Sequence, residues 1–225
     1  MSESQVISLF SLRPCDSTGQ ISRWCHSPAK RTFDVCCGLI MLAVTLPLFV
    51  LIGALIKLTS DGPILFRQNR VGRGGREFEL LKFRTMTYSR YQRGSGLTRA
   101  GDVRVTHLGR ILRQWKLDEL PQLVNLLRGD MSLVGPRPDL AEFWDELKPA
   151  EQRALSLVPG ITGWATLHFR NEEELLAAVP EERVREYYLR EVLPRKVNLD
   201  LDYAARASFA KDLVIICQTC LAILG

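Results

Sequence analysis

Arg113-Gln114-Trp115-Lys116-Leu117-Asp118-Glu119-Leu120-Pro121 sets two adjacent carboxylates among basic residues. A short apolar-periodic segment follows, and then Gly135-Pro136-Arg137-Pro138, an arginine held between two prolines. Carboxylates bind divalent metal or act as nucleophiles, and an arginine fork binds phosphate. Their proximity within about one helix length points to phosphoryl-transfer chemistry. Taken alone, the carboxylates have a plainer reading. Asp118 would cap the helix, Glu119 would favour its dipole, and Pro121 is tolerated in a first turn.

Working outward, Thr106 reads as the N-cap of a helix bearing Leu108, Ile111, Leu112 and Trp115 on one face. A second helix carries Leu120, Leu123, Val124 and Leu127 and ends at Gly129. Upstream, Ile64–Arg70 and Glu77–Phe83 read as two strands joined through Gly72, Gly74 and Gly75. A hairpin turn fits these glycines better than a phosphate cradle, because neither a following helix nor a Walker lysine is present. Residues 67 to 104 hold ten Lys or Arg against three Asp or Glu, a basic surface beside an apolar run.

That run, Val35 to Ile56, is 22 residues without a charge. At about 1.5 Å per residue it is long enough to cross a hydrocarbon core of about 30 Å. Pro47 interrupts it, Asp34 marks an entry edge expected to stay near water, and basic residues flank both ends. Positive charge favours one side of a membrane. A helix that enters, bends at Pro47 and returns satisfies these features better than a simple spanning helix, which stays open as the alternative. Asp212 to Gly225 is mostly apolar but too short to span, a core or interfacial helix.

The 225 residues carry a net charge of +5, which suits an anionic partner. Six cysteines form no disulfide framework. Cys217 and Cys220 lack a second ligand pair for zinc, and a reducing compartment is expected. Residues 1 to 29 read as a mobile tail with no signal peptide. Glu172 to Lys196 reads as an exposed, solvated helical segment with a break near Pro180 and no chemistry.

Together these motifs resemble the bacterial sugar transferases, the monotopic phosphoglycosyl transferases that load undecaprenyl phosphate. The resemblance runs from about Lys30 to Thr219. It rests on Lys30-Arg31-x-x-Asp34, the run broken at Pro47, Lys82-Phe83-Arg84-Thr85-Met86 and Leu117-Asp118-Glu119-Leu120-Pro121-Gln122-Leu123. It continues through Leu127-x-Gly129-Asp130-Met131-Ser132, Gly135-Pro136-Arg137-Pro138 and Pro159-Gly160-Ile161-Thr162-Gly163-Trp164, then Asp200, Tyr203, Ser208, Asp212 and Leu213. It departs at Ala165-Thr166-Leu167-His168-Phe169-Arg170-Asn171, where many relatives read Ala-Gln-Val-Asn-Gly-Arg-Asn. His168 is expected to make a local polar contact there.

The resemblance implies an α+β, mainly helical fold. A re-entrant membrane helix kinked at Pro47 (30–58) would follow the tail (1–29). A small β-hairpin and a compact cytoplasmic catalytic domain with interfacial amphipathic helices (59–225) would complete it. It implies transfer of a sugar-1-phosphate from a UDP-sugar to undecaprenyl phosphate through a covalent Asp118 intermediate, with Glu119 holding Mg²⁺. Arg113, Arg137, Arg170 and Lys82 would bind phosphates, and Pro136-Arg137-Pro138 would contact uridine. The setting would be the cytoplasmic face of a bacterial inner membrane, among membrane lipids. The sugar, with a lean to an N-acetylated or deoxy one, the pathway and the oligomeric state stay open; a second copy or other glycan-pathway enzymes are candidate partners. An inert membrane adaptor is the rival function. A nucleic-acid binder is disfavoured by the lack of a reading helix or aromatic platform.

Overall fold

The computed structural model describes residues 20–87 and 97–224. Helix α1, Pro28–Thr59, is a single 32-residue helix. Ser27 caps it, its hydroxyl accepting from the Lys30 N–H at 3.1 Å, and Pro28 sits in the first turn where its missing donor costs nothing. Pro47 lies inside the helix. It is the one helix among the described residues long and apolar enough to cross a membrane, with a mean hydropathy of 2.8.

Two ends of α1 are buried and its middle is not. Lys30, Asp34 and Gly38 are buried at one end, and Ile52, Gly53 and Ile56 at the other. Between them Leu39, Ile40, Val44, Leu46, Val50 and Leu51 are exposed. At the first end, Lys30 Nζ donates to Asp212 at 2.8 Å, and Asp34 accepts from the Ser132 hydroxyl at 2.7 Å. Asp34, expected at the water edge, is therefore buried in an ionic cluster. At the other end, the Ser60 carbonyl accepts from Arg84 at 2.8 Å, and Ile52 and Ile56 pack with Phe83 and Leu112.

Strands β1 (Leu65–Val71) and β2 (Glu77–Phe83) form the expected hairpin, with Leu65 opposite Phe83 and Val71 opposite Glu77. Gly74 and Gly75 take left-handed φ of 72° and 77° in the turn, as a hairpin connection requires. Helix α2 (His107–Gln114) begins at Thr106, whose hydroxyl accepts from the Gly109 N–H. Of its expected apolar face only Leu112 is fully buried; Ile111 and Trp115 stay exposed.

A 3₁₀ turn, Leu117–Glu119, then leads into α3 (Gln122–Arg128). Asn125, buried in the middle of α3, does the work of a strand. Its Oδ1 accepts from the Leu81 N–H at 3.0 Å and its Nδ2 donates to the Glu79 carbonyl at 2.8 Å, so one amide satisfies the free edge of β2. Gly129 ends α3 at φ 95°, and Arg31 donates to the last carbonyls of Leu126 and Leu127.

A second, unexpected sheet pairs β3 (Ser132–Val134) in parallel with β4 (Gly160–Thr162). Helix α4 (Ala141–Trp144) lies between them in sequence. Then come α5 (Trp164–His168), α6 (Glu172–Ala177), α7 (Val184–Tyr187), a π turn (Tyr188–Val192), α8 (Leu193–Arg206) and α9 (Phe209–Leu224). The π turn falls where Pro194 removes a backbone donor.

The core has three parts. Phe143, Tyr188, Leu176 and Leu193 fill the first, and Leu126, Met131, Val134 and Ile215 the second. The third is the α1 contact already described. Asp212, fully buried, joins four segments: it accepts from Lys30, from Trp24 Nε1 at 2.9 Å and from the Tyr203 hydroxyl at 2.6 Å. Of the expected tail, residues 1–19 lie outside the described residues, whereas Ser22 and Trp24 are already fastened to α8 and α9. The folded body thus begins before residue 30.

Gly135 approaches the 158–160 backbone so closely that an added Cβ would lie 2.4 Å from the Val158 carbonyl oxygen. Gly135→Ala should force this segment apart and cost about 2 kcal/mol or more, by the usual penalty for overpacking. Thermal unfolding of the detergent-solubilised variant against the parent checks this.

Candidate active site

The site begins with one strained residue. Lys116 has φ 53°, the only left-handed non-glycine among the described residues. It reverses the chain after α2 and starts the 3₁₀ turn that carries Asp118 and Glu119. Asp118 therefore precedes α3 without capping it: the residue at the α3 N-cap is Pro121, with no side-chain cap. The plain helix-start reading of Asp118 fails on this geometry.

Glu119 is gripped from two sides. Its Oε1 accepts from Lys82 Nζ and from Arg137 at 2.9 Å each. Burial alone would raise the Glu119 pKa, but Arg137 and Lys82 outweigh it and hold the carboxyl well below its usual range. Glu119 in turn raises the Arg137 pKa above its ordinary value. Burial lowers the Lys82 ammonium, with Glu119 opposing.

Asp118 differs from its neighbour. It is 6 % exposed, and its Oδ1 is buried without a hydrogen-bond partner. Burial raises its pKa, with Lys82 acting against the rise and Glu119 adding to it. Two adjacent carboxylates are thus set apart. One is paired and firmly ionised; the other is unpaired, desolvated and free to meet an electrophile or a metal. No cluster of three or more His, Cys, Asp or Glu occurs among the described residues. The chain would hold a metal through this pair alone, which suits Mg²⁺, an ion that keeps waters and substrate phosphates as its remaining ligands. The orphaned Asp118 oxygen, and the Glu119 oxygen outside the Lys82 and Arg137 bonds, fit such an ion.

Of the other expected site residues, Arg113 donates from Nε to the Thr85 hydroxyl at 2.9 Å and pairs with Glu173 at 3.1 Å. Its charge acts on Asp118. Pro136 and Pro138 are buried. With Arg137 they line a shallow, open cleft alongside Gly72, Trp144 and Pro159. Arg170 lies exposed in the turn after α5, away from these contacts. His168 makes only the local contact expected of it, Nδ1 to the Trp164 carbonyl at 2.8 Å. Cys217 and Cys220 are exposed free thiols on α9.

The segment read as a solvated charge run is corrected. Lys196 is buried; it donates to Glu172 at 2.9 Å and to the Tyr188 hydroxyl at 3.0 Å, and lies 3.9 Å from Asp139. Asp139 also pairs with Arg70 at 3.7 Å. Glu172 and Asp139 both act on Arg137. Four cations (Lys82, Arg70, Arg137 and Lys196) thus meet three paired carboxylates (Glu119, Asp139 and Glu172), and the charge of Asp118 balances the set. An i, i+4 surface pattern hides such a network, because its members come from five separate elements. The adjacency of Asp139 to the Pro-Arg-Pro turn was the only available signal.

The profile of the family described as "Bacterial sugar transferase" matches residues 25–225. The chain is a member of that family. Several curated relatives are similar along its length. A UDP-glucose:undecaprenyl-phosphate glucose-1-phosphate transferase of Caulobacter vibrioides is 37% identical over 94% of this chain and 74% of its own. An uncharacterized sugar transferase of Bacillus subtilis, EpsL, is 38% identical over 84% of each chain. A UDP-N-acetylgalactosamine-undecaprenyl-phosphate N-acetylgalactosaminephosphotransferase of Aeromonas hydrophila is 43% identical over 60% of this chain. That match spans 33% of the Aeromonas protein.

Two outcomes follow for this bacterial sugar transferase. Lys196→Met removes the cation shared by buried Asp139 and partly exposed Glu172, leaving Asp139 only its longer pairing with Arg70, and should cost about 3 kcal/mol, as breaking a buried pair does. Adding Glu172→Gln should recover part of the loss, read in thermal unfolding. Asp200, buried and accepting from the Ala165 N–H, has its pKa pushed up to about 7 by burial. Its unfolded carboxyl ionises near 4, so between these values the unfolded chain binds fewer protons and stability falls as pH rises. Asp200→Asn should flatten the Tm profile from about pH 5 to 7.5 and raise Tm at the upper end.

Proposed function

We propose that this chain moves a sugar-1-phosphate from a UDP-sugar to undecaprenyl phosphate and releases UMP, as the first membrane step of a bacterial glycan pathway. The observation that carries this reading is the Asp118–Glu119 pair: an unpartnered, buried nucleophile beside a carboxylate clamped by Lys82 and Arg137. The names of the Caulobacter and Aeromonas relatives agree with it.

In the first step an Asp118 carboxylate oxygen attacks the β-phosphorus of the UDP-sugar. The oxygen–phosphorus bond to Asp118 forms as the bond to the α-phosphate oxygen breaks, and UMP leaves. In the second step an oxygen of the lipid phosphate attacks the same phosphorus, the bond to Asp118 breaks, and the carboxylate is regenerated. Splitting the transfer lets two mutually repelling anions react in turn at one site. Lys82, Arg113 and Arg137 neutralise the diphosphate. The cleft beside Pro136, Arg137 and Pro138 takes the uridine. Asp118 and Glu119 would hold Mg²⁺, which screens the attacking carboxylate from the diphosphate and stabilises the departing UMP.

The same reading places α1 as a re-entrant membrane helix. A straight 32-residue helix is about 48 Å long and would deliver its ends to opposite faces of a bilayer. Here both ends are anchored to one body, and only the middle, around Pro47, is bare. The body then sits at the cytoplasmic face of the inner membrane, where a soluble nucleotide-sugar and a lipid phosphate meet.

The test is intact mass of the solubilised protein after incubation with Mg²⁺ and a panel of UDP-sugars, without lipid. The expected result is a gain of one phosphosugar that Asp118→Asn abolishes. UMP released only when lipid phosphate is present, with no adduct, would replace the covalent step with direct transfer.

A further inference from the structure

Arg84 has no part in the chemistry above. It follows β2 and is 5 % exposed. Its backbone N–H extends the hairpin ladder to the Ile64 carbonyl at 3.0 Å, and one terminal nitrogen donates to the Ser60 carbonyl and hydroxyl at 2.8 and 2.7 Å. The other terminal nitrogen and Nε are buried with no partner, and among the described residues no carboxylate pairs with the guanidinium. A guanidinium stays charged, and burying it without a counter-anion is strongly unfavourable. A role in closing the C-terminus of α1 accounts for the bonds to Ser60 and leaves the two orphaned nitrogens unexplained.

Position supplies the explanation. Arg84 stands two residues beyond Lys82, the ligand of Glu119. Strand alternation puts the two on one face, about 7 Å apart along the chain. Thr85, next in sequence, holds Arg113. On the other side Arg84 touches Ser60, where α1 ends, beside the exposed apolar side chains of Leu58, Ile64 and Phe66. An uncompensated cation therefore follows, two residues on, the lysine that holds Glu119, and touches the point where the apolar helix rejoins the body.

We propose that Arg84 is the subsite for the phosphate monoester of the membrane-anchored acceptor, an inference that rests on the transferase reading. Lys82, Arg113 and Arg137 already have the donor diphosphate to serve, and each is held by a partner in its absence. Among the described residues Arg84 is the buried cation with two donors in reserve. The orphaned Nε and Nη1 lie on different edges of the guanidinium, so a phosphate dianion forms the side-on fork through Nε and the Nη2 that it takes over from Ser60. Arg84 makes and breaks no covalent bond; it neutralises and aims the attacking oxygen. The guanidinium is buried as it stands, so the acceptor would reach it by displacing the Asp61–Pro63 segment beside Ser60, where Asp61 and Pro63 are exposed and Gly62 holds φ 113°.

The test uses the full chain in detergent micelles with a UDP-sugar it accepts and farnesyl phosphate as acceptor. Arg84→Gln should raise the KM for the prenyl phosphate at least tenfold while moving the KM for the UDP-sugar less than threefold. Arg84→Lys, which keeps the charge and loses the fork, should recover part of the difference. An equal rise in both constants, or an unmoved acceptor KM, overturns the inference. If Arg84→Gln does not fold, Arg84→Lys alone decides: absence of the split in that variant also overturns it. Co-sedimentation with phosphatidylglycerol vesicles covers general headgroup binding, and a loss of binding that accounts for the whole KM change overturns an acceptor subsite. Should the wild type release no UMP from any UDP-sugar, the transferase reading fails separately. Arg84 is then judged by whether farnesyl phosphate raises the Tm of the wild type and not of Arg84→Gln.

Discussion

A helix of 32 residues that buries both ends in one body and leaves its apolar middle bare imposes the rest of the architecture. Each end needs a polar fastening strong enough to hold it, and the fold supplies one at each. Lys30 and Asp34 are satisfied by Asp212 and Ser132, contributed by α9 and β3. The far end is satisfied by Arg84, at the close of the hairpin. Between these fastenings runs α3, stitched to the hairpin by Asn125 and to α1 by Arg31. Gly38 fits here because Leu126 occupies the space a side chain would need.

The site uses this frame to separate two neighbouring carboxylates. Consecutive residues in a 3₁₀ turn point about 120° apart, so Glu119 can be locked between two cations while Asp118 is left unpaired. The clamp is itself supported from behind. Asp139 and Glu172 lean on Arg137, and Lys196 keeps them from claiming it outright. A low dielectric makes such a balance matter, since a buried charge left unmatched is expensive and a matched one is held in place.

Local signals in the chain were readable where the physics is local. The hairpin announced itself through glycines flanked by alternating strands, α2 through Thr106, and the end of α3 through Gly129. The site pair and the Pro-Arg-Pro turn stood out by residue type and spacing. What stayed hidden depends on residues distant in sequence. Nothing near Lys196 shows that it will be buried against Glu172, and nothing near Asp34 shows that Ser132 will cover it. The parallel pairing of β3 and β4 joins two three-residue segments too short to carry a period. Asn125 looked like an ordinary polar position on a helix, because substituting for a strand edge leaves no periodic trace.

The fastening of α1 also bears on how the molecule is made. Lys30 and Asp212 are 182 residues apart, so the apolar helix leaves the ribosome long before its anchor exists. At synthesis rates of about 5–20 residues per second, that interval is on the order of ten seconds or more. For that time Lys30 and Asp34 lack the carboxylate that completes their buried cluster. The nearer fastenings, Arg84 on Ser60 and Ser132 on Asp34, can form first, and the buried ion pair arrives afterwards to lock a placement already chosen. Asp212 would thus act in biogenesis as a latch rather than a guide.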